Sequence, residues 1–145
     1  MTVSTKGRYA LRVMLDLAQQ DPAEYISLKV ISQRQEISMK YLEMIVSILN
    51  RAGFVTSMRG KGGGYMLTGS AGSYTVGSII KLAEGSLAPV TCLEHGTNNC
   101  GRMDNCLTLP MWAKLGEVID DYLESVTLED LLKNRAQTPS EHDDL

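Results

Sequence analysis

The sequence predicts a mainly α fold carrying one small β-hairpin, and three observations predict it. Apolar residues recur at helical spacing, as in Leu42, Ile45, Val46 and Leu49. Residues that start and stop helices stand at the ends of such runs, among them Ser38, Thr75 and Gly85. Two short β-prone pieces, FVTSM and YML, flank the glycine-rich stretch RGKGGG.

The first helix starts near Ser4 or Thr5 and runs to about Gln20, with Leu11, Val13, Met14, Leu17 and Ala18 as its apolar stripe. DPAE then reads as a turn. A short helix opens at Ser27 with Val30 and Ile31 expected inward. Ser38 is a good N-cap for MKYLEMIVSILNRAG, and Gly53 sits where a C-cap belongs. The hairpin follows with a flexible, basic tip. Thr75 caps another helix, Val76 to Glu84, closed by Gly85. From Pro110, a residue favoured in the first helical turn, a longer helix runs to about Ser125. Its apolar positions are Met111, Trp112, Leu115, Val118, Ile119, Tyr122 and Leu123. Thr127 to Asp130 resembles a capping box for a last short helix, TLEDLLKN. The order helix, helix, helix, hairpin is that of a winged helix–turn–helix, with the hairpin tip as the wing.

Bulk properties narrow the function. A chain of 145 residues suits one core, or a small domain with an appendage. No run of 18 apolar residues occurs, so no membrane-spanning segment is expected. The N-terminal stretch has Arg8, Arg12 and Asp16 spread through it and does not read as a signal peptide; the expected compartment is the cytoplasm. Residues 1–70 hold nine Lys/Arg against five Asp/Glu, whereas residues 71–145 hold five against twelve. A basic front half points to a polyanion. An enzyme is not expected: the only histidines are His95 and His142, and no nucleophile–base pair is apparent.

A helix in the major groove needs polar side chains near its N-terminus, opposite its buried stripe. Ser38, Lys40, Tyr41 and Glu43 meet that need, and Met39 can touch a thymine methyl. Glu43 repels phosphate and is useful only as an acceptor for cytosine N4. The competing readings are a solvated acid for Glu43 and a plain surface lysine for Lys40. In the wing, Arg59 suits the minor groove, Gly60 lets the backbone approach the duplex, and Lys61 neutralises phosphate. A nucleotide-binding phosphate loop is disfavoured, because no Gly-Lys-Ser/Thr and helix follow. Lys6 and Arg8 add possible backbone contacts. The long helix from Pro110 suits pairing with its twin, which would set two reading helices on a palindromic DNA site; covering its own core is the competing use. Its exposed face is expected to be acidic, from Glu117, Asp120, Asp121 and Glu124.

All three cysteines lie in CLEHGTNNCGRMDNC, spaced Cys92-x7-Cys100-x5-Cys106, in a polar loop with little to pack against. Three thiolates so placed suit a soft metal or an iron–sulfur cluster, and spacing alone does not separate the two. Zinc would want a fourth ligand, and His95 is close at hand. A thiol switch is a further alternative.

Over about residues 1–133 the chain closely resembles the IscR-type family of winged-helix regulators, whose branches include nitric-oxide sensors and regulators of cysteine metabolism. STKGRYALRVMLDLA, ISMKYLEMIVSILNRAGFVTSMRGKGGGYML, VGSIIKLAEG, CLTLPMW and VTLEDLL carry the resemblance. It implies a dimeric DNA-binding repressor or activator whose cluster, held by Cys92, Cys100 and Cys106, sets affinity or site choice. The 2Fe-2S form is favoured over 4Fe-4S. Two positions depart from the family pattern. Leu109 stands where the iron–sulfur-biogenesis branch usually has histidine, and Arg8 where the nitric-oxide branch can use an acid. The fourth ligand is thus open, with His95, Glu94 and Asp104 as local candidates. The cysteine-metabolism branch typically lacks the three-cysteine loop, so docking of a metabolic enzyme fits less well, although Cys92 could serve as a thiol sensor.

The expected organisation is therefore a winged-helix unit over 1–85, a cysteine-bearing sensor loop over 86–108, a dimerisation helix with a short last helix over 109–134, and a disordered tail over 135–145. An adaptor that binds another protein and meets DNA only incidentally is the reading from another class. Steep salt dependence of DNA binding would separate it from a true operator binder.

Overall fold

In the computed structural model, which describes residues 3–96 and 103–137, most helices begin where a hydroxyl side chain takes over an unpaired backbone N–H. Ser4 opens α1 (Thr5–Ala18) by accepting from the Gly7 amide, and Ser27 opens α2 (Leu28–Gln35) by accepting from Val30. Ser38 opens α3 (Met39–Arg51) by accepting from Tyr41, and Thr75 opens α4 (Val76–Glu84) by accepting from Ser78. The cap of α5 (Leu109–Ser125) is Thr108, whose side chain makes no such bond. Thr127 and Asp130 form the expected capping box of α6 (Leu128–Gln137): each accepts at its side chain from the other's amide, at 3.1 and 3.0 Å.

Between α2 and α3 the chain turns sharply at Glu36, whose φ of 54° and ψ of 45° are left-handed. Ser32 Oγ holds the far side of this turn by donating to the Ile37 carbonyl at 2.6 Å. After α3, strands β1 (Val55–Met58) and β2 (Gly64–Leu67) pair antiparallel, with Val55 opposite Leu67 and Met58 opposite Gly64. Ile26 adds one bridge to the other side of β2, exchanging two 2.8 Å hydrogen bonds with Tyr65. Gly64 is required there, because a Cβ would run into the Ile26 carbonyl.

One core lies where α1, α2, α3, α4 and β1 converge. Val13, Met14, Ile31, Leu42, Ile45, Val46, Leu49, Val55 and Ile79 are buried in it, and Leu128 of α6 closes it. A smaller cluster, Val76, Ile80 and Leu87 with Ile119, Leu123, Val126 and Leu131 against it, fastens α5 and α6 to α4. Burial of this kind stabilises by roughly 25 cal/mol per Å2 of apolar surface, so the smaller cluster is the weaker attachment.

Several expectations need correction. Val30 points outward at 39% exposure, because Ile31 alone fills the inward position of an eight-residue helix. Residues 135–137 continue α6 rather than belonging to a tail, and residues 138–145 lie outside the described residues. The cysteine-bearing segment is not without order: short 3-10 turns cover Thr91–Gly96 and Met103–Asn105. Its beginning also packs, since Leu87 is buried.

Candidate nucleic-acid interface and sensor segment

Helical geometry sets the outward face of α3. With Leu42, Ile45, Val46 and Leu49 buried, a 100° step per residue turns Lys40, Glu43, Met44 and Ser47 to the opposite side. Lys40 and Glu43 are exposed, and Met39 and Met44 are about equally so. Sequence reasoning passed over Met44, whose place four residues after Lys40 was the available signal. Two of the predicted reading residues have structural duties. Ser38 spends its hydroxyl on the Tyr41 amide at 3.2 Å. Tyr41 is half-buried and meets Tyr9 edge-on, ring centres 5.4 Å apart.

The wing tip is a tight turn closed by the Gly63 amide donating to the Gly60 carbonyl at 3.0 Å. Gly62, third in that turn, has a φ of 79°, which a side-chain-bearing residue adopts only under strain. Arg59, Gly60 and Lys61 are all exposed. Gly60, Gly62 and Gly63 share an open cleft of about 500 Å3 with Glu24, Tyr25, Ser27 and Val30, so the tip stands beside the start of α2. Arg8 is exposed on α1 and donates to Thr5 Oγ1 at 3.2 Å; Lys6 is half-buried.

Cys92 lies in the first 3-10 turn and Cys106 just before α5; both are half-buried. Cys106 Sγ is 3.5 Å from Thr108 Oγ1. Leu107, between them, is 95% exposed. Glu94 is half-buried and Asp104 exposed. Cys100 and the His95 side chain lie outside the described residues. Among the described residues no three His, Cys, Asp or Glu side chains gather in a metal-holding group, and those residues include two of the three cysteines. Leu109 occupies the first position of α5 and is half-buried.

The apolar residues of α5 divide into two faces. Ile119 and Leu123 pack inward on α4. Met111, Leu115, Val118 and Tyr122, spaced four, three and four apart, are 53, 41, 51 and 62% exposed. The acidic residues divide too, which corrects the expected acidic face. Lys81 of α4 pairs with Asp120 and, at 2.9 Å, with Glu124. Thr75 donates to the other Glu124 oxygen at 2.9 Å. These hydrogen bonds, first to Asp120 and then to Glu124, hold the Lys81 ammonium above its ordinary pKa. Lys81 and then Thr75 hold the Glu124 carboxyl below its own. Glu117 and Asp121 remain exposed. This clamp joins residues 39 to 49 positions apart, so no local pattern announced it. An open cavity of about 410 Å3 lies beside it, between Leu87 to Pro89, Leu93 and the Ala113–Gly116 side of α5.

A three-helix core with a basic β wing defines the class: a winged-helix DNA-binding protein. A family model described as an iron-dependent transcriptional regulator, Rrf2, matches residues 3–134. The chain is 40% identical over 135 residues to the HTH-type transcriptional regulator IscR of Pectobacterium carotovorum, covering 93% of this chain and 81% of that protein. Among solved structures it is similar to CymR, the global cysteine regulator of B. subtilis, with a TM-score of 0.75 and 37% identity over 92% of this chain and 98% of that one. It is similar as well to IscR of T. potens, with a TM-score of 0.74 and 35% identity over 100% and 97% of the two chains. The chain therefore belongs to the Rrf2 family of transcriptional regulators, whose matched members are named as regulators and not as enzymes. The resemblance seen in the sequence is borne out, as is the winged-helix fold. Among the described residues no helix is long and apolar enough to cross a membrane.

Proposed function

We propose that this chain is a dimeric, sequence-specific regulator of transcription, mostly a repressor, that acts in the cytoplasm on a palindromic operator. Its affinity or site choice is set by an iron–sulfur cluster held by Cys92, Cys100 and Cys106. One observation carries the reading: the cysteine-bearing segment runs directly into α5, the helix whose 4-3-4 apolar stripe is exposed among the described residues. Such a stripe is the seam of a two-helix coiled coil, and a second copy of α5 would complete it. Anything that stiffens that segment then sets the spacing of two DNA-reading heads.

Within each head, Lys40, Tyr41 and Glu43 read base edges from α3, with Ser38 fixing the helix start. Arg59, Gly60 and Lys61 hold the duplex backbone and minor groove from the wing. The winged-helix unit takes in residues 1–85, the sensor segment 86–108, and the dimerisation part α5 and α6.

The donors present fit a cluster. Cys92 and Cys106 are half-buried thiols, partly shielded from water yet reachable, and soft sulfur is the donor such iron centres take. When bound, the cluster supplies a group whose oxidation, nitrosylation or loss is the signal. The 2Fe-2S form is favoured, and His95 is a candidate fourth ligand. The description of the family as iron-dependent and the 40% identity to IscR support this reading. The similarity to a cysteine regulator favours the second reading, in which the same cysteines form a zinc staple or thiol switch, or an enzyme partner docks instead.

Anaerobic purification followed by iron, sulfide and zinc analysis, with an absorption spectrum, decides between them. Iron with matching sulfide and visible charge-transfer bands supports the cluster. Stoichiometric zinc without sulfide supports the staple. If neither metal binds even after reconstitution, the thiol switch stands and the cluster reading falls.

A further inference from the structure

The open cavity of about 410 Å3 beside the Lys81 clamp is walled on one side by α5 and on the other by the segment that leads to Cys92. Ala113, Gly116 and Asp120 face it from α5, and a step of about 100° per residue sets them nearly opposite Met111, Leu115, Val118 and Tyr122. Pro89 crosses α5 at Gly116, where an added Cβ would come within 3.1 Å of the proline ring. Leu87, Pro89 and Leu93 give the cavity an apolar wall.

The polar end carries three groups with unspent hydrogen-bonding capacity. The Lys81 ammonium has three donors, of which Asp120 and Glu124 take two. Ser86 Oγ accepts from the Ala88 amide at 3.1 Å, which leaves its own proton to donate. Asp120 meets Lys81 through Oδ1, and its Oδ2 has no partner among the described residues.

We propose that this cavity binds a free α-amino acid with an apolar side chain. Lys81 and Ser86 hold its carboxylate, Asp120 holds its ammonium, and its side chain lies against Leu87, Pro89 and Leu93. Because Lys81 and Asp120 touch each other, the two charges they take must sit within a few bonds of one another. An α-amino acid meets that condition, whereas one whose amine ends a long chain does not. A phosphate monoester is refused, since two carboxylates stand here against one ammonium. The volume lies at the low end of the roughly 300–1,000 Å3 of small-molecule sites, and a few placed polar groups on apolar walls are their ordinary makeup. The site uses no cysteine, so it stands whether or not the chain carries a cluster. A second copy seated on the stripe of α5 leaves its mouth open.

The test titrates the full-length, reduced, metal-free protein with L-valine, L-leucine, L-methionine and L-phenylalanine, following the Leu93, Ala113 and Gly116 amides by NMR. At least one amino acid should give saturable shifts. Its N-acetyl and carboxamide forms should each bind about ten- to a hundredfold more weakly, because each loses one hydrogen bond between charged groups. Asp120→Asn should weaken the free amino acid by a similar factor and leave the N-acetyl form unchanged, so that the two bind alike. Ala113→Leu, at an exposed position of α5, fills the cavity without touching the core and should abolish binding. No saturable shift with any of the four, or binding that Ala113→Leu leaves intact, overturns the proposal. So does a blocked form that binds as well as the free amino acid. An equal loss of both forms in Asp120→Asn assigns that residue to holding α5 alone and overturns its part in the site.

Discussion

Asp16 of α1 and Arg34 of α2 are joined by a two-pronged ion pair, Nη2 to Oδ1 at 2.7 Å and Nε to Oδ2 at 3.1 Å, with the carboxylate 98% shielded from solvent. Gln35 Nε2 donates a third bond to the same carboxylate at 2.9 Å. Arg12, stacked 5.0 Å over the Tyr9 ring, donates to the Gln35 carbonyl and side-chain oxygen. A buried carboxylate is tolerated only when paired and hydrogen-bonded, and here both conditions hold. The pair fixes how α2, and through the Glu36 turn α3, sits on α1.

Removing the cation should therefore cost more than a surface ion pair does. Arg34→Ala leaves the Asp16 charge with Gln35 alone and should destabilise the fold by about 1.5–3 kcal/mol, the range for hydrogen bonds to charged groups. Urea unfolding of both proteins measures it. A loss of a few tenths would mean that water reaches Asp16 and that the pair is ordinary surface chemistry. The double change Asp16→Leu with Arg34→Met should recover much of the loss.

Glu36 stores strain in the turn before α3. A left-handed conformation costs a residue with a Cβ about 1–2 kcal/mol, and glycine escapes this at an entropic cost of about 0.5–1. Glu36→Gly should therefore stabilise modestly, by up to about 1 kcal/mol, visible as a higher melting temperature. A lower melting temperature would show that the glutamate side chain makes a compensating contact in solution.

Acid should loosen α5 before it unfolds the core. Glu124 has its pKa lowered below the ordinary 4.5 by Lys81 and Thr75. Its stabilising effect is thus complete above pH 4.5 and is lost as pH falls through the lower folded value. Lys81 lies above 10.5, so its share is complete below that and lost as pH rises through the higher folded value. Both side chains are 37% exposed, and solvent screening holds the contribution to about 0.5 kcal/mol. Hydrogen exchange in α5 between pH 5 and 3 reads the acid limb, and Glu124→Gln should flatten it. An α5 whose exchange follows that of the core at every pH would refute the separate loosening.

The helices were legible in the sequence because caps and apolar periodicity agree at each start: Ser27, Ser38, Thr75 and the Thr127/Asp130 pair all act as such residues should. The stripe of α3 and the hairpin came through for the same reason, since both are local patterns. Asp16 was half-visible, standing between Val13 and Leu17 on the buried face of α1 where a carboxylate needs a partner. Its partner is 18 residues away, and no spacing rule supplies it. The division of α5 into an inward and an outward face was invisible as well. Its sequence shows one broad apolar stripe, and only the packing of α4 decides that Ile119 and Leu123 turn in while Val118 and Tyr122 turn out. At the candidate site, the sequence showed the outward face of α3 and the cap at Ser38, but not that Tyr41 is partly occupied against Tyr9.

The wing and the reading helix should fail differently. If Lys61 holds phosphate as proposed, Lys61→Ala should lower affinity about equally for all DNA sequences and shrink the slope of log K against log salt by about 1. Glu43→Ala removes a negative charge and, on the proposed reading role, a base contact, so affinity for unrelated DNA should rise while discrimination at one base pair falls by about 1–3 kcal/mol. Titrations at several salt concentrations, on the operator and on scrambled DNA, separate the two. Equal effects of both changes on both DNAs would deny Glu43 a reading role.

The stripe on α5 gives the sharpest test of dimerisation, because its disruption need not touch the fold. Val118 is 51% exposed in the single chain and sits at the middle of the stripe, away from the inward cluster of Ile119 and Leu123. Val118→Asp should leave unfolding stability within about 0.5 kcal/mol, as surface changes do. In a two-fold dimer, however, the same change sets two carboxylates into an apolar seam. Sedimentation should then show monomers. Binding to a palindromic operator should weaken by about 10²–10⁴-fold, because the second head no longer binds as part of one molecule, while binding to a half-site changes little. If Val118→Asp remains dimeric, another surface pairs the subunits and the stripe on α5 has a different partner. If it is monomeric yet binds the full operator as before, the two heads act independently and the link through the cysteine segment has nothing to set.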